Sequence, residues 1–127
     1  MKRDMDLIRE IMLKLESVPM EYGDNIAISP DTAAFQVDGY SFDQIAYHFD
    51  LIKQAGFIES SGSDLGIGIM FKGLSWSGHD FVDSVRSPDV WDKTKQAASA
   101  ASGFTVEMLV FAAKTYLEGK IKGLIGG

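Results

Sequence analysis

The sequence predicts one α+β domain, and three observations predict it. Apolar residues recur at three-and-four spacing in several separate stretches. The middle of the chain replaces that spacing with two short alternating runs around a polar turn, and no apolar run has the length of a membrane span. With 46% hydrophobic and 24% charged side chains, the 127 residues have the balance of a globular domain that buries about two thirds of its unfolded surface. Cysteine is absent, which removes disulfides, thiolate metal sites and thiol nucleophiles at once.

The spacing of Met5, Ile8, Met12 and Leu15 predicts a first helix from about Asp4 to Val18, with Asp4 as its cap and Pro19 as its stop. Residues 19–34 read as a loop, in which Ser29-Pro30-Asp31 can start a helical turn. Phe35-Gln36-Val37 alternates like a short strand. Ser41 caps a second helix to about Ala55 that buries Phe42, Ile45, Phe49 and Ile52, and Gly56 closes it in the left-handed conformation. Phe57-Ile58-Glu59-Ser60 reads as a strand, Ser61-Gly62-Ser63-Asp64 as a turn, and Ile67-Gly68-Ile69-Met70-Phe71 as the returning strand. Ser75 or Ser77 then caps a helix through Phe81, Val82 and Val85, and Ser87-Pro88-Asp89 starts another that holds Val90 and Trp91. After Ser102-Gly103, Thr105 caps a last helix whose Val106, Leu109, Val110, Ala113, Tyr116 and Leu117 fill one side.

Helix, glycine stop, strand, polar turn and strand form the outline of a winged helix-turn-helix-like domain: the second helix is the would-be recognition element and the hairpin is the wing. The expectation is therefore a single domain over 1–127, with a winged-helix-like core in 1–74 and a helical C-terminal extension in 75–127.

Three stretches are more specific than this outline. They are Met1-Lys2-Arg3-Asp4-Met5-Asp6-Leu7-Ile8-Arg9, then Gly39-Tyr40-Ser41 with Tyr47-His48 and Gln54-Ala55-Gly56-Phe57-Ile58, then Leu74-Ser75-Trp76-Ser77-Gly78-His79-Asp80-Phe81-Val82-Asp83 with Arg86 and Trp91. On these the chain resembles a family of small bacterial and prophage-encoded proteins grouped as a domain of unknown function. The resemblance spans about the first three quarters of the chain, and the last helix matches loosely. It implies a winged-helix-like fold and a phage or mobile-element setting, and it carries over no catalytic or binding residues.

Charge narrows the function classes. The net charge of −6 has the wrong sign for indiscriminate phosphate binding, and its acids concentrate in the middle of the chain. A winged helix suggests DNA, with Gln44, Tyr47, Lys53 and Gln54 as candidates for base or phosphate contacts. Asp43 and Asp50 on the same side oppose that, so positive charge would have to come from Lys2, Arg3, Lys72, Arg86, Lys93 or Lys95. A protein-interaction module is the rival reading, resting on the acidic middle and on the apolar last helix, which is a candidate homodimer surface through Val106, Leu109, Val110, Ala113, Tyr116 and Leu117.

Enzymatic raw material is thin. His79-Asp80 with Asp83 resembles a fragment of histidine-aspartate metal sites, and Ser77, His79 and Asp83 make a triad on paper without a nucleophile elbow. His48, beside Ile45, Phe49 and Ile52, reads as a packed imidazole bonded to backbone, and Trp76 and Trp91 as core anchors. Gly62, Gly66 and Gly68 suit a hairpin and not a phosphate loop. The expectation is a regulator that is not an enzyme, needs no cofactor and no metal, stays off the membrane and works in the cytoplasm.

Overall fold

The computed structural model describes residues 1–60 and 68–100, and in the last stretch residues 111, 114–115, 118–119 and 121–122. Its helices are α1 (Met5–Glu16), α2 (Phe42–Gln54), α3 (Trp76–Val85) and α4 (Pro88–Ala100), and its strands are β1 (Ile26–Ile28), β2 (Ile58–Ser60) and β3 (Ile69–Leu74). The chain divides into two compact units, residues 1–79 and 80–127, with the boundary inside α3.

In the first unit, α1 begins where Asp4 accepts hydrogen bonds from the backbone N–H groups of Asp6 and Leu7, which satisfies two of the orphan donors at a helix start. Its stripe of Leu7, Ile8, Ile11, Met12 and Leu15 is buried. α2 starts with a full capping box: Ser41 Oγ accepts from Gln44 N at 3.2 Å, and Gln44 Oε1 accepts from Ser41 N at 2.8 Å. It buries Ile45, His48, Phe49 and Ile52, whereas Phe42 at its first turn is exposed. Gly56 takes φ +74°, the left-handed stop expected from the sequence.

The three strands form one antiparallel sheet in the order β1-β3-β2. β3 pairs Phe71 with Ile26 on one side and Leu74 with Ile58 on the other, and a bulge at Glu59/Ser60 breaks the β2 register. Ile28, Ile69 and Phe71 turn into the core. A helix, an edge strand, a second helix and an antiparallel hairpin in this order are compatible with a winged-helix-like arrangement. The hairpin turn at 61–67 lies outside the described residues.

Two local expectations are corrected. Phe35-Gln36-Val37 is not a strand: Ala33–Phe35 form a 3-10 turn, Gln36 Nε2 donates back to Pro30 O and Thr32 O, and the Phe35 ring meets Phe49 edge-on at 5.4 Å. The strand lies instead at Ile26–Ile28, inside the passage read as loop. Three residues are too few to show a period, and this segment owes its extended form to pairing with β3, more than forty positions later.

In the second unit, the C-terminal part of α3 buries Phe81, Val82 and Val85, and α4 buries Val90, Trp91 and Ala98. Ser87 caps α4 by accepting from Val90 N at 3.4 Å. Buried Ser84 and Thr94 each donate to the carbonyl one turn back, at 2.7 Å. No helix among the described residues is long and apolar enough to cross a membrane. The candidate dimer residues Val106, Leu109, Val110, Ala113, Tyr116 and Leu117 all lie outside the described residues.

Candidate functional site

The outward stripe of α2 consists of Asp43, Tyr47, Asp50 and Gln54, whose spacings of four, three and four keep them within one narrow arc. Asp43, Asp50 and Gln54 are exposed and Tyr47 is half-buried, its ring edge-on to His48 at 5.7 Å. Of the other two DNA candidates, Gln44 spends its side-chain oxygen on the capping box and Lys53 is half-buried on the stripe's flank. The structure thus brings the four candidates onto one helix, with two carboxylates rather than bases along the centre of the face.

Beside this helix the chain's first residues are clamped in place. Asp4 N donates to His48 Nε2 at 2.8 Å, and Tyr40 Oη donates to Asp4 Oδ2 at 2.7 Å. His48 Nδ1 lies 2.7 Å from Gln44 O, so the imidazole donates from Nδ1 and accepts at Nε2, which defines a neutral ring with both nitrogens bonded to backbone. The Tyr40 hydroxyl is pushed up to about 12, first by its hydrogen bond to Asp4, then by burial and by the negative charges of Asp4, Asp6 and Glu10. A phenol held in that state is a fixed donor and not a base. The clamp leaves exposed Lys2 and Arg3 next to the segment that carries α2.

A second clamp joins the end of α2 to the start of α3. Ser75 N donates to Phe57 O at 2.9 Å, Ser75 Oγ and Ser77 Oγ both donate to Gly56 O, and Gly78 N donates to Ser75 Oγ at 3.1 Å. A Cβ on Gly78 would stand 2.0 Å from Phe57 O, so only glycine fits this approach. The paper triad dissolves here, because the Ser77 hydroxyl faces Gly56 O, while Asp83 pairs with Arg86 at 2.8 Å and Asp80 lies 3.8 Å from Lys114. Among the described residues no three His, Cys, Asp or Glu side chains are grouped to hold a metal. Trp91 is buried with Lys95 Nζ 5.6 Å from its ring centre, whereas Trp76, expected in the core, is 86% exposed at the first residue of α3.

The two clamps are where the three resembling stretches meet, and the comparison with known proteins covers the same span. The family described as "Hypothetical protein (DUF2513)" matches residues 2–105. The chain belongs to this family. An uncharacterized protein of Haemophilus influenzae is 36% identical over 104 residues, which cover 80% of this chain and 82% of that protein. No solved structure matches. The family match takes in all four helices and the sheet, and it ends before the predicted dimer helix at Val106.

A concave site in the first unit was missed by the sequence reading. An open groove of about 700 Å³ lies between the α1–β1 loop and the hairpin strands, and half-buried Val18, Met20 and Leu74 and buried Phe71 are among the residues that line it. Its lining also holds the acids Glu16, Glu21, Asp24 and Glu59, the bases Lys72 and His79, and the fully exposed Tyr22. The only trace in the sequence was the purely acidic charge of residues 17–40. What brings Glu21 and Asp24 into one groove with Glu59 and Lys72 is the pairing of β1 with β3, which has no local signature.

Proposed function

We propose that the first unit is a winged-helix-like protein-interaction module, acting as a regulator in the phage or mobile-element setting that the resemblance implies. One observation carries this reading. Residues 1–79 hold six of the 12 basic and twelve of the 18 acidic residues, so the whole net charge of −6 sits on the unit that contains α2 and the hairpin. On the α2 stripe, Asp43 and Asp50 face outward where a major-groove helix would meet phosphates. A DNA backbone approaching that face meets like charge, whereas a protein surface can supply Lys and Arg to match it. Three side chains that a base reader or a catalyst could use, those of Gln44, His48 and Ser77, are hydrogen-bonded to the backbone.

DNA binding is the second reading, favoured by the element order and by Lys2 and Arg3 beside α2. Fluorescence anisotropy with a labelled random-sequence duplex separates the two. Under the interaction reading no salt-sensitive binding develops at low salt; a DNA binder shows affinity in the range of about 0.1 mM to 1 μM that falls steeply as salt rises. The homodimer through the last helix belongs to the same proposal, and a monomer by light scattering at high concentration would remove it.

A further inference from the structure

Among the concave surfaces of the first unit, the groove beside the α1–β1 loop combines size, apolar lining residues and an excess of carboxylates. Its volume of about 700 Å³ accommodates several side chains, more than one metal or anion needs. Val18, Met20 and Leu74 offer apolar surface, and the carboxylates of Glu16, Glu21 and Glu59 outnumber the single ammonium of Lys72. The lip is pre-shaped: Asp24 N donates to Glu21 O at 3.0 Å, Glu21 N donates to Asp24 Oδ2 at 2.8 Å, and Gly23 takes φ +91°. This closed turn presents the Tyr22 ring with none of its surface covered, so an incoming group need not order the loop that holds it. A phenol face next to carboxylates attracts cations by its quadrupole as well as by their charge.

We propose that this groove docks a cationic segment of a protein partner, in which an apolar side chain rests on Val18, Met20 and Leu74 while flanking Lys or Arg heads reach Glu16, Glu21, Glu59 and the Tyr22 face. The excess of carboxylates selects the occupant: it disfavours an acidic segment or a nucleic acid strand, and an uncharged apolar peptide gains nothing from it. The proposal rests on the interaction reading above and supplies the chemistry of a partner surface that is separate from the α2 stripe.

The test titrates the ¹⁵N-labelled full chain with an octapeptide of Lys-Leu-Lys-Gly repeated twice, and with its counterpart carrying Glu for Lys. The expected result is amide shifts concentrated at Tyr22, Gly23, Glu59, Lys72 and Gly73 with the basic peptide and none with the acidic one. Two double variants of equal charge change then separate a site from general attraction. E21K/E59K weakens binding about tenfold or more, which is at least about 1.4 kcal/mol, while D43K/D50K on α2 leaves it within about twofold. Tyr22→Ala, at a fully exposed position, weakens binding with the urea midpoint unchanged and so guards against a folding artefact in the charge variants. Equal loss in both double variants, shifts spread over the whole unit, or no shifts at all would overturn the docking site. Identical shifts with spermine would assign the groove to a small polyamine and overturn the protein segment. The duplex titration is independent: a chain that ignores both DNA and the basic peptide loses the groove and keeps the interaction reading, whereas salt-sensitive duplex binding removes that reading itself.

Discussion

Two helical glycines have opposite consequences when replaced by alanine, and the contrast tests the clamp between α2 and α3. At Gly78 the added methyl carbon would lie 2.0 Å from Phe57 O and 2.9 Å from its carbonyl carbon. An ordinary carbon–oxygen contact is about 3.3 Å or longer, so Phe57 and the first turn of α3 must part by about 1.3 Å. That displacement breaks the 2.9 Å bond from Ser75 N to Phe57 O and strains the hydroxyl bonds of Ser75 and Ser77 to Gly56 O. Overpacking costs about 1–3 kcal/mol and each lost hydrogen bond about 1 kcal/mol, against a helix-propensity gain of about 1 kcal/mol for alanine. The net expectation for Gly78→Ala is a loss of about 2–4 kcal/mol, a large share of the roughly 5–15 kcal/mol that holds a domain together. At Gly119, also in helical backbone, nothing lies within 4 Å of the added carbon, so Gly119→Ala keeps the propensity gain of up to about 1 kcal/mol. Urea unfolding followed by far-UV circular dichroism reads both. With a slope of about 2 kcal/mol per molar, the middle of the usual range, Gly78→Ala lowers the midpoint by about 1–2 M while Gly119→Ala raises it slightly. A Gly78→Ala protein as stable as the parent, with unchanged slope, would refute the clamp.

The N-terminal clamp gives three further expectations. Tyr40→Phe and Asp4→Ala each destabilise the fold, by about 1–2 and about 2–3 kcal/mol, because the first removes a charge-assisted bond and the second removes that bond and the helix cap; a double-mutant cycle in urea should return a coupling of about 1 kcal/mol, and zero coupling would show the 2.7 Å contact to be idle. Tyr40 holds its proton up to about pH 12 when folded and loses it near 10 when unfolded, so its contribution is complete below pH 10 and disappears as pH rises from 10 through 12. Discounted for solvent screening, the loss is on the order of 1 kcal/mol, seen as a fall in urea midpoint over that range that Tyr40→Phe should lack. His48→Leu leaves Asp4 N and Gln44 O without their imidazole partner in a buried setting and costs about 2–4 kcal/mol by chemical denaturation, whereas a loss below about 0.5 kcal/mol would mean that water replaces the ring.

The residues that were legible in the sequence are those whose signal is local. Asp4, Ser41 and Ser87 lie immediately before an apolar period and cap helices as expected, and Gly56 ends α2 in the left-handed conformation. What was hidden depends on partners far along the chain. β1 is three residues held by β3, and Phe35, read as strand, follows Phe49 into the core through a 3-10 turn. Gln44 looked like a base-reading side chain because a helix wheel shows direction and not occupancy, and the structure spends it on its own helix start. Trp76 carried the opposite error: a large aromatic ahead of an apolar helix reads as core, yet Ser75 and Ser77 turn inward to Gly56 O and leave the indole exposed.

These misreadings share a cause that bears on function. Side chains that look chemically active in isolation, an imidazole, a serine beside a histidine, an aspartate with a tyrosine, are here drawn into two clamps that bind helix ends to neighbouring backbone. The stretches that carry the family resemblance are the stretches that form those clamps, so the resemblance speaks for a shared scaffold more than for a shared chemistry. Among the described residues that the first unit leaves outward are carboxylates at Asp43, Asp50, Glu21 and Glu59 and aromatic rings at Tyr22 and Trp76, beside the cations of Lys2, Arg3 and Lys72. Exposed rings supply contact area at small entropic cost, and carboxylates supply sign. Under the proposal above, these rings and acids are the surface that meets a cationic protein segment.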